Sequence, residues 1–222
     1  MLIKMFIEIP TQFLSSIATD SERVPTLYYS KYLLVRKFFW MRLRLIYLQI
    51  IQDKQPKITC LDFGGGGGVF LPTLSKIFKT VICVDMEDYE AKRVVNEYKL
   101  SNVRLIRSDI SDLSSEFGRF DTIIAADVLE HFKDLSVPVK YLKRWLAEDG
   151  VLYTSLPSEN FIYILLRRVF NITKPLDHYY SGYDVENYLR DNGFKQIYRA
   201  YVPFYFRLFP LFLISGWRIN SF

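Results

Sequence analysis

The sequence predicts an α/β fold: a three-layer sandwich with a mostly parallel, doubly wound sheet of seven strands, or six. Two observations predict it. Short apolar runs alternate with helical segments between residues 57 and 202, and five glycines directly follow the first run. Uninterrupted apolar strands are typical of parallel sheets that helices cover on both faces. A chain of 222 residues is long enough to form one such domain with a full core.

The predicted elements follow in chain order. Strands are predicted over Lys57–Phe63, Thr80–Asp85, Val103–Arg107, Phe120–Ala126, Val151–Leu156 and Phe194–Val202. Helices between and after them are predicted over Val69–Phe78, Tyr89–Tyr98, Ser136–Ala147, Asn160–Phe170 and Asp184–Asp191.

Three parts of the chain are predicted. Residues 1–54 form an N-terminal helical lid segment with a long helix over Tyr28–Gln52, which contains neither Gly nor Pro. Residues 55–202 form the sheet domain. Residues 203–222 form an apolar tail that packs on the domain or lies on a membrane surface, since about 20 apolar residues are needed to span a bilayer. This tail could supply a seventh strand, although its prolines argue against a central one.

The charge pattern bears on partners. The net charge is +5, and the sequence has neither a run of five like charges nor a dedicated RNA-binding module, so no nucleic-acid partner is expected. Basic side chains lie among apolar ones, which makes peripheral membrane contact an open alternative. They are Lys31, Arg36, Lys37, Arg42, Arg44, Arg167, Arg168, Arg199, Arg207 and Arg218.

The two cysteines, Cys60 and Cys83, each lie within a predicted strand. Buried reduced thiols indicate a cytoplasmic protein, with the inner membrane surface as the alternative location. No signal peptide is expected over Met1–Pro10, because Lys4 and Glu8 interrupt it without a cleavage-site pattern. No cluster of cysteines and histidines in the sequence suggests a metal site.

The glycine run Gly64–Gly68 predicts a ligand-binding loop between a strand and a helix. A phosphate-binding P-loop would need Gly-Lys-Ser/Thr at its end, whereas Val69 and Phe70 follow here. The dinucleotide fingerprint needs Gly or Ala at its third position, which also falls on Val69 or Phe70. The spacing therefore excludes the P-loop and weakens the dinucleotide interpretation.

The segment Leu61–Gly68 resembles the first motif of class I S-adenosylmethionine (SAM) dependent methyltransferases. In that family the acidic residue orients the loop and contacts the methionine ammonium of SAM, and the glycines border the cofactor. Phe120–His131 resembles the fourth-strand motif of the branch that includes ubiquinone and small-molecule methyltransferases. The resemblance covers roughly residues 55–202, with four motifs in the family's order.

The resemblance implies a SAM site at the carboxyl edge of the sheet. Asp85 ends the second strand about 20 residues after the loop, where an acid accepts hydrogen bonds from ribose hydroxyls. Asp109 stands where the family commonly has an acid that bonds the adenine amino group. The candidate cofactor-binding residues are Asp62, Gly64, Gly66, Gly68, Asp85, Met86, Asp109, Ile110 and Asp127.

The candidate catalytic residues are the two histidines, His131 and His178. Methyl transfer by in-line displacement needs alignment of donor and acceptor, and a base only where the acceptor must lose a proton. The expected acceptor is a small molecule, a lipid or a lipid-linked glycan. Two alternatives stay open: a non-catalytic SAM-fold binding protein and a nicotinamide-dinucleotide oxidoreductase.

Overall fold

A computed structural model describes residues 6–19, 24–113, 117–169, 178–203 and 208–220. It contains one seven-stranded sheet in the order β3-β2-β1-β4-β5-β7-β6. The strands are β1 Thr59–Phe63, β2 Thr80–Asp85, β3 Val103–Arg107, β4 Phe120–Ala126, β5 Leu146–Pro157, β6 Phe194–Val202 and β7 Phe212–Ile219. Among these strands, β7 alone runs in the opposite direction: it is antiparallel to both β5 and β6, and the other neighbouring pairs are parallel. The predicted fold class is therefore confirmed.

Helices cover both faces of the sheet. They are α1 Thr11–Ile17, α2 Leu33–Gln52, α3 Leu71–Ser75, α4 Tyr89–Glu97, α5 Ser136–Trp145, α6 Phe161–Val169 and α7 Gly182–Asp191. Alternate residues of each strand point to opposite faces, so Cys60 belongs to the apolar core under α2, α3 and α4. Leu61 belongs to the core under α5 and α7. These two cores and the sheet between them make the three layers.

The segment 203–222, predicted as an apolar tail, contains a strand of the sheet. β7 lies between β5 and β6. Ile214 of β7, for example, is paired with Ser155 of β5 on one side and with Ala200 of β6 on the other. Pro203 and Pro210 precede the strand, so neither interrupts its hydrogen bonds. Residues 212–219 therefore complete the sheet, and the seven-strand alternative is the one the structure has.

The N-terminal residues pack on the domain mainly through α2. This helix begins at Leu33, five residues later than predicted, and is preceded by a short 3₁₀ turn over Thr26–Tyr28. It lies against β5, β6 and β7. Within the described residues, no helix is both long and apolar enough to cross a bilayer.

One sequence interpretation of α2 is wrong. Arg42, grouped above with basic side chains that could face a membrane, is 1% exposed. Arg199 and Arg218 form ion pairs with Glu186 and Asp53, so they too are partnered within the chain. Arg207 and the side chain of Arg167 lie outside the described residues.

Candidate functional site

The candidate site lies at the carboxyl edge of the sheet. β1, β4 and β5 are parallel neighbours, so the loops that follow them meet at one edge. β2 and β3 end there too, and the backbone N–H of Ser108 donates to the carbonyl of Asp85 at 3.0 Å. Ligands of open α/β sheets bind outside this edge, where the strand order reverses. In this sheet the reversal falls between β1 and β4.

The glycine loop after β1 needs glycine for two physical reasons. Gly64, Gly66 and Gly68 have φ values of +69°, +52° and +73°, in the left-handed region that side chains disfavour. A Cβ at Gly64 would also stand 2.3 Å from the Val128 side chain. The loop is consequently packed against the segment after β4 and presents backbone, without side chains, to its surroundings.

Asp62 carries a buried carboxylate beneath this loop. The residue is 4% exposed, and its Oδ2 has no hydrogen-bond partner. Burial, with a smaller contribution from the nearby Asp85 charge, raises the pKa of Asp62 to about 7. A buried carboxylate oxygen that lacks a partner fits a cationic ligand group, because a positive donor would compensate its desolvation. The methionine ammonium of SAM is such a group.

Asp85 ties the loop to the end of β2. Its Oδ2 accepts a hydrogen bond of 2.8 Å from the backbone N–H of Gly66. Met86, the next residue, is largely exposed, and its carbonyl accepts from the Arg107 side chain at 3.1 Å. Asp85 therefore holds the glycine loop against the end of β2.

The remaining adenine-side candidates follow β3. Asp109 is exposed, and Ile110 is buried in the core under α5 and α7. Ile110 begins a short 3₁₀ turn over Ile110–Asp112, and Asp109 directly precedes it. The structure thus brings Asp62, Asp85 and this turn to the same edge of the sheet.

Asp127 at the end of β4 takes part in a network that the sequence interpretation missed. Its carboxylate forms an ion pair with Arg42 of α2, and its φ of +54° is in the left-handed region. Arg42 Nη2 also donates to the Tyr28 hydroxyl at 3.0 Å, and its guanidinium lies 4.0 Å from the Phe39 ring centroid. The network joins the N-terminal segment to the strand end beside the glycine loop. Arg42 at its centre follows Phe39 by three residues and precedes Ile46 by four, which places it on one helix face with apolar residues but does not separate a buried position from a membrane-facing one.

The two candidate catalytic histidines are in contact, although 47 positions separate them in sequence. The His131 and His178 rings stand edge to face with centroids 4.6 Å apart. His178 Nδ1 lies 3.1 Å from Glu159 Oε1, and both side chains of that pair are mostly buried. The backbone N–H of Tyr179 donates to the Glu130 carbonyl at 2.9 Å, which joins the two segments. The sequence interpretation named both histidines but missed Glu159, which lies in an unremarkable loop after β5.

Comparison with known proteins identifies the family. Residues 37–198 match the family model described as a methyltransferase domain. The chain therefore belongs to this family of methyltransferase domains.

Curated relatives match part of the chain. (S)-coclaurine N-methyltransferase of Papaver somniferum is 33% identical over 115 residues, which are 49% of this chain and 32% of the relative. (S)-tetrahydroprotoberberine N-methyltransferase of Eschscholzia californica is 25% identical over 108 residues, 46% of this chain and 30% of the relative. The chain thus spans about a third of the length of these curated relatives.

Solved structures resemble the whole fold. N-methyltransferase NodS of Bradyrhizobium japonicum, in complex with S-adenosyl-L-homocysteine (SAH), aligns with a TM-score of 0.66 at 16% identity, covering 95% of this chain and 98% of that chain. Magnesium protoporphyrin IX methyltransferase of Synechocystis, with bound SAH, aligns with a TM-score of 0.68 at 20% identity, covering 92% and 96%.

Proposed function

We propose that this chain transfers a methyl group from SAM to a small-molecule acceptor by in-line displacement. The observation that carries the proposal is the buried Asp62 carboxylate with an unpartnered Oδ2, directly beneath a side-chain-free glycine loop. When bound, SAM supplies a methyl group made electrophilic by its sulfonium. The chain's own residues hold the donor, orient the acceptor and exclude water.

The roles of the cofactor-side residues follow from their chemistry. Asp62 accepts from the ammonium group, and Gly64, Gly66 and Gly68 let the backbone approach the ligand. Asp85 accepts from ribose hydroxyls while it keeps its bond to Gly66. The residues Met86, Asp109 and Ile110 border the adenine, and Asp127 borders the methionine end of the cofactor.

The acceptor side of the site is formed by His131 and His178. The two rings sit after β4 and before α7, at the same edge of the sheet as the glycine loop. There they position the acceptor nucleophile, and an imidazole can take a proton from it where one must leave. The curated relatives are named (S)-coclaurine N-methyltransferase and (S)-tetrahydroprotoberberine N-methyltransferase, which supports a nitrogen nucleophile on a small molecule.

The two alternatives have less support. The dinucleotide-binding fold has the strand order 3-2-1-4-5-6, whereas here antiparallel β7 lies between β5 and β6. A non-catalytic protein of this fold that binds a partner in place of SAM has no need for the Asp62 and Asp85 carboxylates. Calorimetric titration with SAH and separately with NAD⁺ tests both. We expect one SAH site per chain and no NAD⁺ binding; absence of SAH binding would refute the proposal.

A lipid-like acceptor at a membrane surface is the second candidate, and one observation favours it. α6 begins two residues after Glu159 and exposes Phe161 at 72% and Val169 at 67%. Leu208 is 86% exposed. It lies near the start of α6, because the side chain of Asn160, the residue before α6, donates to the carbonyl of Pro210 at 2.5 Å, two residues after Leu208. An exposed apolar surface beside an active site suits an acceptor that partitions into lipid.

Co-sedimentation of the full chain with vesicles tests this candidate. Removing residues 203–222 would delete β7, so substitution is the better perturbation. Phe161→Ser with Val169→Ser should reduce binding to anionic vesicles, whereas Ile58→Ser, at an exposed apolar residue before β1 and away from α6, should not. No vesicle binding by the wild type would leave the soluble acceptor as the proposal. A methyl-transfer screen with labelled SAM against amine, lipid and glycan fractions then identifies the acceptor.

A further inference from the structure

Three side chains at the acceptor side form a group that methyl transfer alone does not require. The ligand atoms of Glu130, His131 and His178 all lie within 4.8 Å of one another. We call this group the His-Glu cluster. Glu130 is fully buried, His131 is half-buried, and the His178 side chain is 8% exposed. The chain has two histidines in all, and both are in this cluster.

We propose that the His-Glu cluster binds a divalent transition-metal ion of the zinc type. Two imidazoles and one carboxylate are the protein ligands of several catalytic zinc sites, which keep a further position open. Imidazole ligands favour Zn²⁺ and its neighbours over Mg²⁺ and Ca²⁺, which take oxygen ligands. Ligand atoms around one zinc ion stand about 3.5 Å apart, so roughly 1 Å of side-chain movement would close the cluster on the ion.

Glu159 supplies independent support, because it has the position of an outer-shell partner. Its Oε1 lies 3.1 Å from His178 Nδ1. A carboxylate there favours the tautomer that carries hydrogen on Nδ1, which leaves the Nε2 lone pair for a ligand. Metal-bound histidines nearly always donate their other ring N–H in this way. Glu159 has a φ of +52°, a conformation that costs free energy for a residue with a Cβ and that is concentrated at functional sites.

The backbone holds the cluster in a largely preformed arrangement. Glu130 and His131 are neighbours in the 3₁₀ turn Leu129–His131. The Tyr179 N–H donates to the Glu130 carbonyl at 2.9 Å, and the Tyr180 hydroxyl donates to the Lys133 carbonyl at 3.0 Å. These two bonds fix the segment that carries His178 against the turn that carries the other two ligands.

The ion would act on the acceptor. This role rests on the proposed function, whereas metal binding itself does not. An open coordination position beside the methyl donor would bind an oxygen atom of the acceptor and so orient the neighbouring amine nitrogen, whose lone pair stays free to attack the methyl group. The proton of the methylated nitrogen would then leave to water. Neither histidine would then have to serve as the free base.

Cobalt(II) and zinc titrations of the tag-free full chain test the proposal. We expect one equivalent of Zn²⁺ by calorimetry, and visible absorption of tetrahedral or five-coordinate Co²⁺ that Zn²⁺ displaces. His178→Asn is the sharpest variant, because the amide N–H can keep the contact with Glu159 while the Nε2 ligand is lost. Loss of an outer-shell partner costs about 10- to 100-fold in metal affinity, so Glu159→Gln should fall in that range and His178→Asn beyond it. Glu148→Gln, an exposed acid outside the cluster, is the matched control.

The outcomes separate the two proposals. Equal zinc affinity in the wild type and His178→Asn, or a sulfur-to-cobalt charge-transfer band from Cys60 or Cys83, would overturn the metal site. SAH titration of the same samples reports on the SAM site through different residues. Zinc binding without SAH binding would refute the proposed function and leave the metal site standing. SAH binding without zinc binding would overturn the metal site and leave the proposed function standing.

Discussion

Asp62→Asn should make the unliganded protein more stable above pH 7 and a poorer binder of SAH. The buried carboxylate has a pKa of about 7 in the folded protein, against 3.8 for an ordinary aspartate. Because the folded pKa is raised, the folded state holds this proton more tightly than the unfolded chain. The stability that the group contributes is present below pH 4 and is lost as the pH rises to 7. The neutral amide has no such dependence.

The magnitude follows from the pKa difference of about three units. Each unit corresponds to about 1.4 kcal/mol, so ionised Asp62 costs the folded state about 4 kcal/mol above pH 7. The amide leaves its own N–H group without a partner, at about 1–3 kcal/mol. The net gain of Asp62→Asn is therefore about 1–3 kcal/mol. A domain of this size gains about 2–4 °C in Tm per kcal/mol, which makes the expected rise roughly 5 °C.

Thermal unfolding from pH 4 to 8 measures this effect, with SAH calorimetry on the same proteins. The Tm difference between variant and wild type should grow from pH 4 to 7 and stay level above it. SAH affinity should fall about 10- to 100-fold at pH 8, since a hydrogen bond to a charged group contributes about 1.5–3 kcal/mol. Glu148→Gln makes the same chemical change at an exposed side chain and serves as the control. A Tm difference that does not depend on pH would refute the reasoning about Asp62.

Two further predictions concern the residues around Asp62. Asp85→Ala should weaken SAH binding at least about tenfold, because it removes both the ribose acceptor and the bond to the Gly66 N–H. Unchanged SAH affinity in calorimetry would show that the ribose contact is elsewhere. Arg42→Met leaves the Asp127 carboxylate without its cation and should lower the free energy of unfolding by about 3 kcal/mol in urea titrations. Arg44→Met, at an exposed position of the same helix, is its control, and equal losses in both variants would contradict a special role for the ion pair.

Much of the sheet could be predicted from the sequence, since buried parallel strands are continuous apolar runs. β2, β3, β4 and β6 have the predicted bounds. β5 begins five residues earlier than predicted, because Leu146 pairs with Phe120 before the register shifts. The sequence does not decide whether β7 forms, because prolines near a strand are ambiguous until their position relative to its hydrogen bonds is known.

The site was predictable only where it is local in sequence. The glycine loop and the acids at the strand ends could be found from spacing, and their roles as SAM contacts stay predictions. The Arg42 pair with Asp127 and the Glu159 pair with His178 join segments that only the tertiary structure brings together. A buried arginine in an apolar helix has the same local pattern as one that lies at a membrane surface, and the fold distinguishes the two.

The central claim is that the loop Gly64–Gly68, with Asp62 beneath it, holds SAM. Calorimetric titration of the full chain with SAH, in the wild type and in Asp62→Asn, tests it most directly. We expect one SAH site per chain in the wild type, and at pH 8 an affinity about 10- to 100-fold weaker in the variant although its fold is more stable. No SAH binding by the wild type, or equal binding by both proteins, would contradict it.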